Sequence, residues 1–111
     1  MLLVLNIIPT NNYELIIQYL VDEKTEVKYI DLSKEIFEYE CWRMLRDINI
    51  FKKVFVDDFN DGPCWPNHID MNPLRIYNQS INIEELVKKN NNLELTIKNN
   101  TNTNVFNKEI K

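Results

Sequence analysis

Nine consecutive residues set the frame for this chain. Tyr13, Leu15, Ile17, Tyr19 and Val21 alternate with Glu14, Ile16, Gln18 and Leu20. A period of two belongs to a β-strand, whose successive side chains point to opposite faces. The first of these two sets is apolar and aromatic throughout, so that face is expected to be well buried. Residues 2–8 read as an earlier apolar strand, with Pro9-Thr10-Asn11-Asn12 as the turn between them. After a turn at Asp22-Glu23-Lys24, Glu26 to Ile30 alternates again through Val27 and Tyr29. Three strands joined by short polar turns make an antiparallel meander.

Helical spacing follows. Asp31 or Ser33 can cap a helix start, because a short oxygen-bearing side chain accepts orphan backbone N–H groups. Ile36, Phe37, Tyr39, Trp42, Leu45 and Ile48 then recur at steps of mostly three and four, as in one helix or two short ones on the sheet. Phe51, Val54 and Val56 return to strand-like spacing, and Phe51 to Asp57 is expected as the fourth strand. Asn72-Pro73 predicts a helix, with Asn as cap and Pro at the first helical position, where its fixed φ is already suitable. Asn82 and Glu85 have the spacing of a capping box, for a helix running to about Lys89. Leu93, Leu95 and Ile97 alternate as a last strand, and residues 98–111 form a further strand, a helix or a loose tail.

The fold class expected is α+β: an antiparallel sheet of four or more strands, with two to four short helices packed on it. Residues 1–80 would form the core domain. Residues 81–111 would add a helix plus a strand, or an Asn-rich tail, to the same domain.

The segment Trp65-Pro66-Asn67-His68-Ile69-Asp70-Met71-Asn72-Pro73-Leu74-Arg75-Ile76-Tyr77 follows the acidic turn Asp57 to Pro63. It resembles the signature of the domain of unknown function 2442 family, small bacterial proteins. Their usual pattern is Trp-Pro-Asn-Gly, an Asp two residues later, Asp-Pro, and a closing Leu-Tyr. Leu45-Arg46-Asp47, Phe51, Val54 and Val56 agree with the same pattern, and the opening hairpin is of the same kind. Two departures stand out: His68 occupies the usual Gly position, and the second turn lacks Asp-Gly. The resemblance covers about residues 1–77 and implies a fold. It also implies a companion role beside small toxin-like or DNA-binding proteins, but supplies no chemistry.

At 111 residues, 44% of them hydrophobic, the chain has enough apolar material for one core. Its 17 Asn against no Ala and one Gly reads as the codon bias of an AT-rich genome rather than a functional Asn tract. Net charge is −4, with 13 acidic and 8 basic side chains in residues 1–80. Nucleic-acid binders present a basic face. Here Lys52-Lys53 and Lys88-Lys89 are isolated pairs, which argues against direct DNA or RNA binding and fits a protein partner with a basic surface. The apolar start, Met1 to Leu5, lacks a positive leader and is too short for a signal peptide or a membrane span. The reading is a cytoplasmic protein with Cys41 and Cys64 reduced.

Catalytic patterns are weak. His68 is the single histidine, with Asp70 two residues on and Cys64 four before it. A Cys-His nucleophile needs more than that proximity, and a surface loop histidine is the reading taken. Asp57 to Gly62 has a calcium-loop Gly, but Phe59 stands where an oxygen is required. With one Gly there is no phosphate-binding loop. No enzyme, cofactor or metal site is expected. Trp65, Asn67, Asp70 and Tyr77 are expected mainly to organise the loop. Together with Trp42 they are also the candidates for an interaction surface, since Trp and Tyr bury large area at low entropic cost.

The expected function is therefore non-catalytic: a small protein-binding regulator or adaptor, antitoxin-like or accessory to a neighbouring protein. The alternative is a mobile-element inhibitor of a host nuclease, in the manner of anti-CRISPR proteins. It would require Asp22, Glu23, Glu26, Asp57, Asp58 and Asp61 to share one face that occupies a nucleic-acid channel. An exposed edge strand would also allow two copies to pair as a homodimer.

Overall fold

The computed structural model describes residues 1–59 and 61–87. Its first half is the meander. Strands β1 (Leu2–Pro9), β2 (Glu14–Val21) and β3 (Lys24–Asp31) pair antiparallel, with Leu15 opposite Ile30 and Ile17 opposite Lys28. The β1–β2 ladder shifts register between Val4 and Asn6, a bulge that turns Leu5 outwards. The turn Asp22-Glu23 closes β2 onto β3 with φ of 49° and 72°. Both residues are left-handed, as a two-residue hairpin matched to the strand twist requires.

β2 runs through the middle of the sheet and is covered on both faces. Leu15, Ile17 and Tyr19 enter the main core with Val4, Ile30, Leu32, Ile36, Leu45, Phe51, Trp65, Met71 and Ile76. Ile16 points the other way into a smaller cluster with Ile83, flanked by Ile8, Val27, Tyr29, Leu86 and Val87. Gln18, on that second face, is 2% exposed and accepts a hydrogen bond from Asn6 at 2.9 Å. The expectation of one buried face is thus corrected. Tyr13 does not begin the strand: it sits at φ 63°, and its hydroxyl donates to the Arg46 carbonyl.

Short helices form the layer over the main face. α1 (Ser33–Glu38) opens where Asp31 accepts the Ser33 N–H at 2.9 Å. A 3-10 helix follows at Glu40–Arg46, and α2 (Ile48–Phe51) is capped by Asp47, which accepts from the Asn49 N–H at 2.9 Å. This cap corrects the fourth strand. The chain from Ile48 to Phe51 is helical, and only β4 (Phe55–Val56) of the expected strand forms. β4 joins β5 (Pro63–Trp65) and β6 (Ile69–Asp70) in a separate small sheet ordered β4-β5-β6.

α3 (Pro73–Gln79) starts as expected, with Asn72 Oδ1 accepting from the Leu74 and Arg75 N–H groups at 3.0 and 3.1 Å. The fourth strand of the main sheet is β7 (Ile81–Asn82), paired to Tyr29 and Lys28 of β3, so its order is β1-β2-β3-β7. α4 (Ile83–Val87) then packs on the second face. The architecture is α+β, as expected. The expected end of the last helix at Lys89, the strand through Leu93, Leu95 and Ile97, and the tail 98–111 lie outside the described residues. Among the described residues no helix is long and apolar enough to cross a membrane.

Candidate functional site

The small sheet carries the signature segment, and its local chemistry explains its shape. Gly62 is buried, and a Cβ there would lie 2.9 Å from Pro73 Cβ and 3.3 Å from Pro73 Cα. The chain's single glycine therefore stands where the acidic turn presses against the start of α3. Ahead of it, Asp57 Oδ1 accepts the Asp61 N–H at 2.9 Å, and the Asp57 N–H donates to the Gly62 carbonyl at 3.3 Å. β5 then drives Trp65 into the core. Trp65 is 1% exposed, its indole N–H donates to the Phe51 carbonyl at 2.8 Å, and its ring lies 6.0 Å from that of Phe51. The link holds the small sheet to α2.

From Trp65 the chain reverses through Pro66, Asn67 and His68, and Ile69 pairs back to Trp65. Asn67 and His68 take φ of 67° and 61°, a region that costs an L-residue about 1–2 kcal/mol. Gly, with no Cβ, would adopt it freely.

On the outer side of this ribbon lies an open groove of about 380 Å³, lined by Phe55, Cys64, Trp65, Pro66, Asn67, His68, Ile69 and Asp70. Phe55 is 49% exposed, and Phe59 in the neighbouring turn is 81% exposed. One carboxylate, Asp70, is part of its wall. Burial raises the Cys64 thiol above its ordinary pKa, and the negative charges of Asp57, Asp70, Asp61 and Asp58 raise it further. A thiol held protonated in this way is a poor nucleophile. No hydrogen bond joins Cys64 to His68 among the described residues. Asp61 is itself raised, by its hydrogen bond to the Asp57 carboxyl, then by burial and the charges of Asp57 and Asp70. For Asp57 burial acts upward, but hydrogen bonds from the Asp61 side chain and the backbone of Asp61, Gly62 and Phe59 outweigh it and hold Asp57 low. No three His, Cys, Asp or Glu side chains converge as a metal site among the described residues.

The five candidate residues part company. Trp65 is core. Trp42 is half-buried on the 3-10 helix and packs against the main core, so the two tryptophans form no common exposed patch. Asn67 and Asp70 are exposed on the groove, and no hydrogen bond ties Asp70 to the loop backbone among the described residues. Tyr77 bonds to the sheet rather than to the loop. Its hydroxyl donates to Glu26 Oε1 at 2.6 Å, and its ring meets Tyr19 edge-on at 4.9 Å. Lys28 Nζ stands 3.9 Å from the centre of that ring and donates to the Tyr77 carbonyl at 3.3 Å.

The six expected surface carboxylates fall into two groups by what they act on. Asp57, Asp58 and Asp61, joined by Asp70, act on Cys64. Asp22 and Glu26 act on Tyr77. Asp22 is also 2.7 Å from the Met1 ammonium, and Glu23 is exposed beside it. A larger hollow of about 430 Å³ lies there, walled by Met1, Leu3, Leu20, Asp22 and Glu23. In this group Asp22 and Glu26 are already engaged, whereas Asp58 and Asp70 have no ion-pair or hydrogen-bond partner among the described residues.

Sequence reading missed Phe55 as a surface residue, and Arg75. Its guanidinium holds Glu35 with both nitrogens, at 2.9 and 2.8 Å, tying α3 to α1. No sequence spacing signals a pair 40 residues apart. Phe55 had a faint signal: Val54 and Val56, if inward, turn it outward. The chain matches no protein-family profile, no curated protein and no solved structure.

Proposed function

We propose that this chain is a non-catalytic protein-binding module, a small cytoplasmic regulator or adaptor, and that the groove of the small sheet is its contact surface. The carrying observation is a half-exposed Phe55 on a ribbon pinned by Trp65 and Gly62. Large apolar side chains held outward on a rigid support are what interface hot spots are made of. The raised Cys64 thiol supports a binding role over a nucleophilic one. The resemblance of residues 1–77 to a family of companion proteins is consistent with it, and an antitoxin-like role is one form it would take.

The test is affinity capture of the tagged chain from host lysate, with and without nuclease, beside the Phe55→Ser variant. The expected result is a stoichiometric partner that survives nuclease and falls at least about tenfold in yield with Phe55→Ser. An unchanged set of bound proteins would remove the groove from the proposal. A partner lost after nuclease would mean the contact runs through nucleic acid.

The nuclease-inhibitor form draws on only part of the expected acidic set: Asp57, Asp58 and Asp61, with Asp70, act on Cys64, whereas Asp22 and Glu26 belong to the separate group at Tyr77. In that form the captured partner is a nuclease, and single-stranded DNA competes with the chain for it.

A further inference from the structure

Resting on the protein-binding reading, we infer that the occupant of the groove is a basic segment of the partner. One apolar side chain would seat against Phe55, and its lysines or arginines would meet Asp58 and Asp70.

The argument is one of charge complementarity at a defined apolar seat. Phe55 and Pro66 supply carbon surface in the groove, while Trp65 and Ile69, opposite each other in the ladder, hold the ribbon from the core side. Among the described lining residues there is no Lys or Arg, and Asp70 is part of the wall. Three further carboxylates stand in the turn from β4 to β5 beside it: the Asp57 N–H donates to the Gly62 carbonyl, Asp57 Oδ1 accepts the Asp61 N–H, and Asp58 is exposed next to them. Like charges so gathered raise one another's energy, and a bound cation relieves that cost. An acidic or neutral segment would add to the repulsion or leave it standing. The second acidic group offers less free charge, because the Met1 ammonium neutralises Asp22 and Glu26 accepts from the Tyr77 hydroxyl, which leaves only Glu23 of the three without a partner among the described residues. The two groups therefore differ in the charge they can offer, and the chain contains its own control.

The experiment is selection from a random peptide display library on the immobilised full chain, followed by titration of one selected peptide into isotope-labelled protein. Enriched peptides are expected to be net basic with one aromatic or aliphatic anchor. Shift changes are expected in residues 55–59 and 63–70 and not at Asp22, Glu23 and Glu26. Phe55→Ser should abolish binding. Asp58→Asn with Asp70→Asn should weaken it roughly fivefold, the size of two exposed ion pairs, with the loss shrinking as salt rises. Both sets of positions are exposed, and an unchanged thermal midpoint confirms that the variants fold.

Enrichment of acidic or neutral peptides that still need Phe55 would overturn the basic occupant while leaving the groove as a protein contact. Enrichment indifferent to Phe55→Ser, or no enrichment, would overturn both. Basic peptides that shift the hairpin group as strongly as the groove would show general charge attraction and likewise overturn the inference.

Discussion

Among the described residues, five other than glycine sit at positive φ: Tyr13, Asp22, Glu23, Asn67 and His68. They are not equivalent. Glu23 and His68 are exposed, and neither makes a side-chain hydrogen bond among the described residues, so nothing local offsets their backbone cost. Replacing either by Gly removes a Cβ that the left-handed region disfavours, although it frees the unfolded chain. We expect Glu23→Gly and His68→Gly each to raise unfolding stability by about 0.5–1 kcal/mol in urea denaturation. Tyr13 is the contrast. Its ring lies edge-on to Phe37 at 5.1 Å and 5.3 Å from Phe51, so Tyr13→Gly should destabilise despite the same φ. A gain at Tyr13, or a loss at Glu23, would show that backbone strain does not govern these turns. Tyr19 offers a second test. Its buried hydroxyl finds no hydrogen-bond partner among the described residues. An unsatisfied buried hydroxyl costs about 1–3 kcal/mol, so Tyr19→Phe should leave stability unchanged or raise it by about 1 kcal/mol. A loss of that size would mean the hydroxyl is satisfied after all.

At the scale of elements, the helices over the sheet are short and depend on what ties them to it. α3 is joined to α1 through Arg75 and Glu35, and to β3 through Tyr77. The ion pair is bidentate and mostly shielded, with side-chain exposures of 31% and 21%. A double-mutant cycle of Arg75→Met and Glu35→Gln should give a coupling of about 1 kcal/mol, above that of an ordinary exposed pair. A coupling near zero would make the pair incidental to α3. Gly62→Ala tests the other end of α3. The new methyl would meet a rigid proline ring and backbone, and a loss of about 1–3 kcal/mol is expected in the unfolding midpoint. These ties also mark what could be read from sequence. The meander was legible because alternation in β2 and β3 is a local signal. The start of α3 was legible because Asn72-Pro73 carries its geometry within two residues. β4 was misread because Phe51, Val54 and Val56 mimic a strand, while the Asp47 cap turns the first four residues after it into helix. β7 was missed because a two-residue strand has no period at all; its pairing is decided by β3. The groove was missed for the same kind of reason, since the outward side of Phe55 depends on which sheet β4 joins.

Across the whole molecule, a column of tyrosines links the sheet to the helical layer, and its protonation sets an alkaline limit. Tyr77 is raised to about 12, first by donating to Glu26, then by burial and by the charges of Glu26 and Asp22. Tyr19 is raised further, by burial and then by Tyr77. Tyr29, across the sheet, is raised by burial, by its hydrogen bond to Glu14, and by the charges of Glu14 and Asp31. In the unfolded chain all three ionise near 10, so above that pH the folded state holds protons that the unfolded state has released. Stability from these groups is therefore complete below pH 10 and is lost as pH rises through the folded values. The groups facing Tyr77 are Glu26, Lys28, Asp22 and Tyr19. Tyr77→Phe removes one titrating group while keeping the ring against Tyr19. It should cost stability at pH 8, where the Glu26 bond is intact, and the difference from the parent chain should shrink as pH rises from about 10 to 12. Urea midpoints measured at steps across that range would read the convergence directly. Parallel curves for the two proteins would mean that the Tyr77 proton does not couple to folding, and that α3 is held to the sheet by its rings and by Lys28 rather than by the hydroxyl.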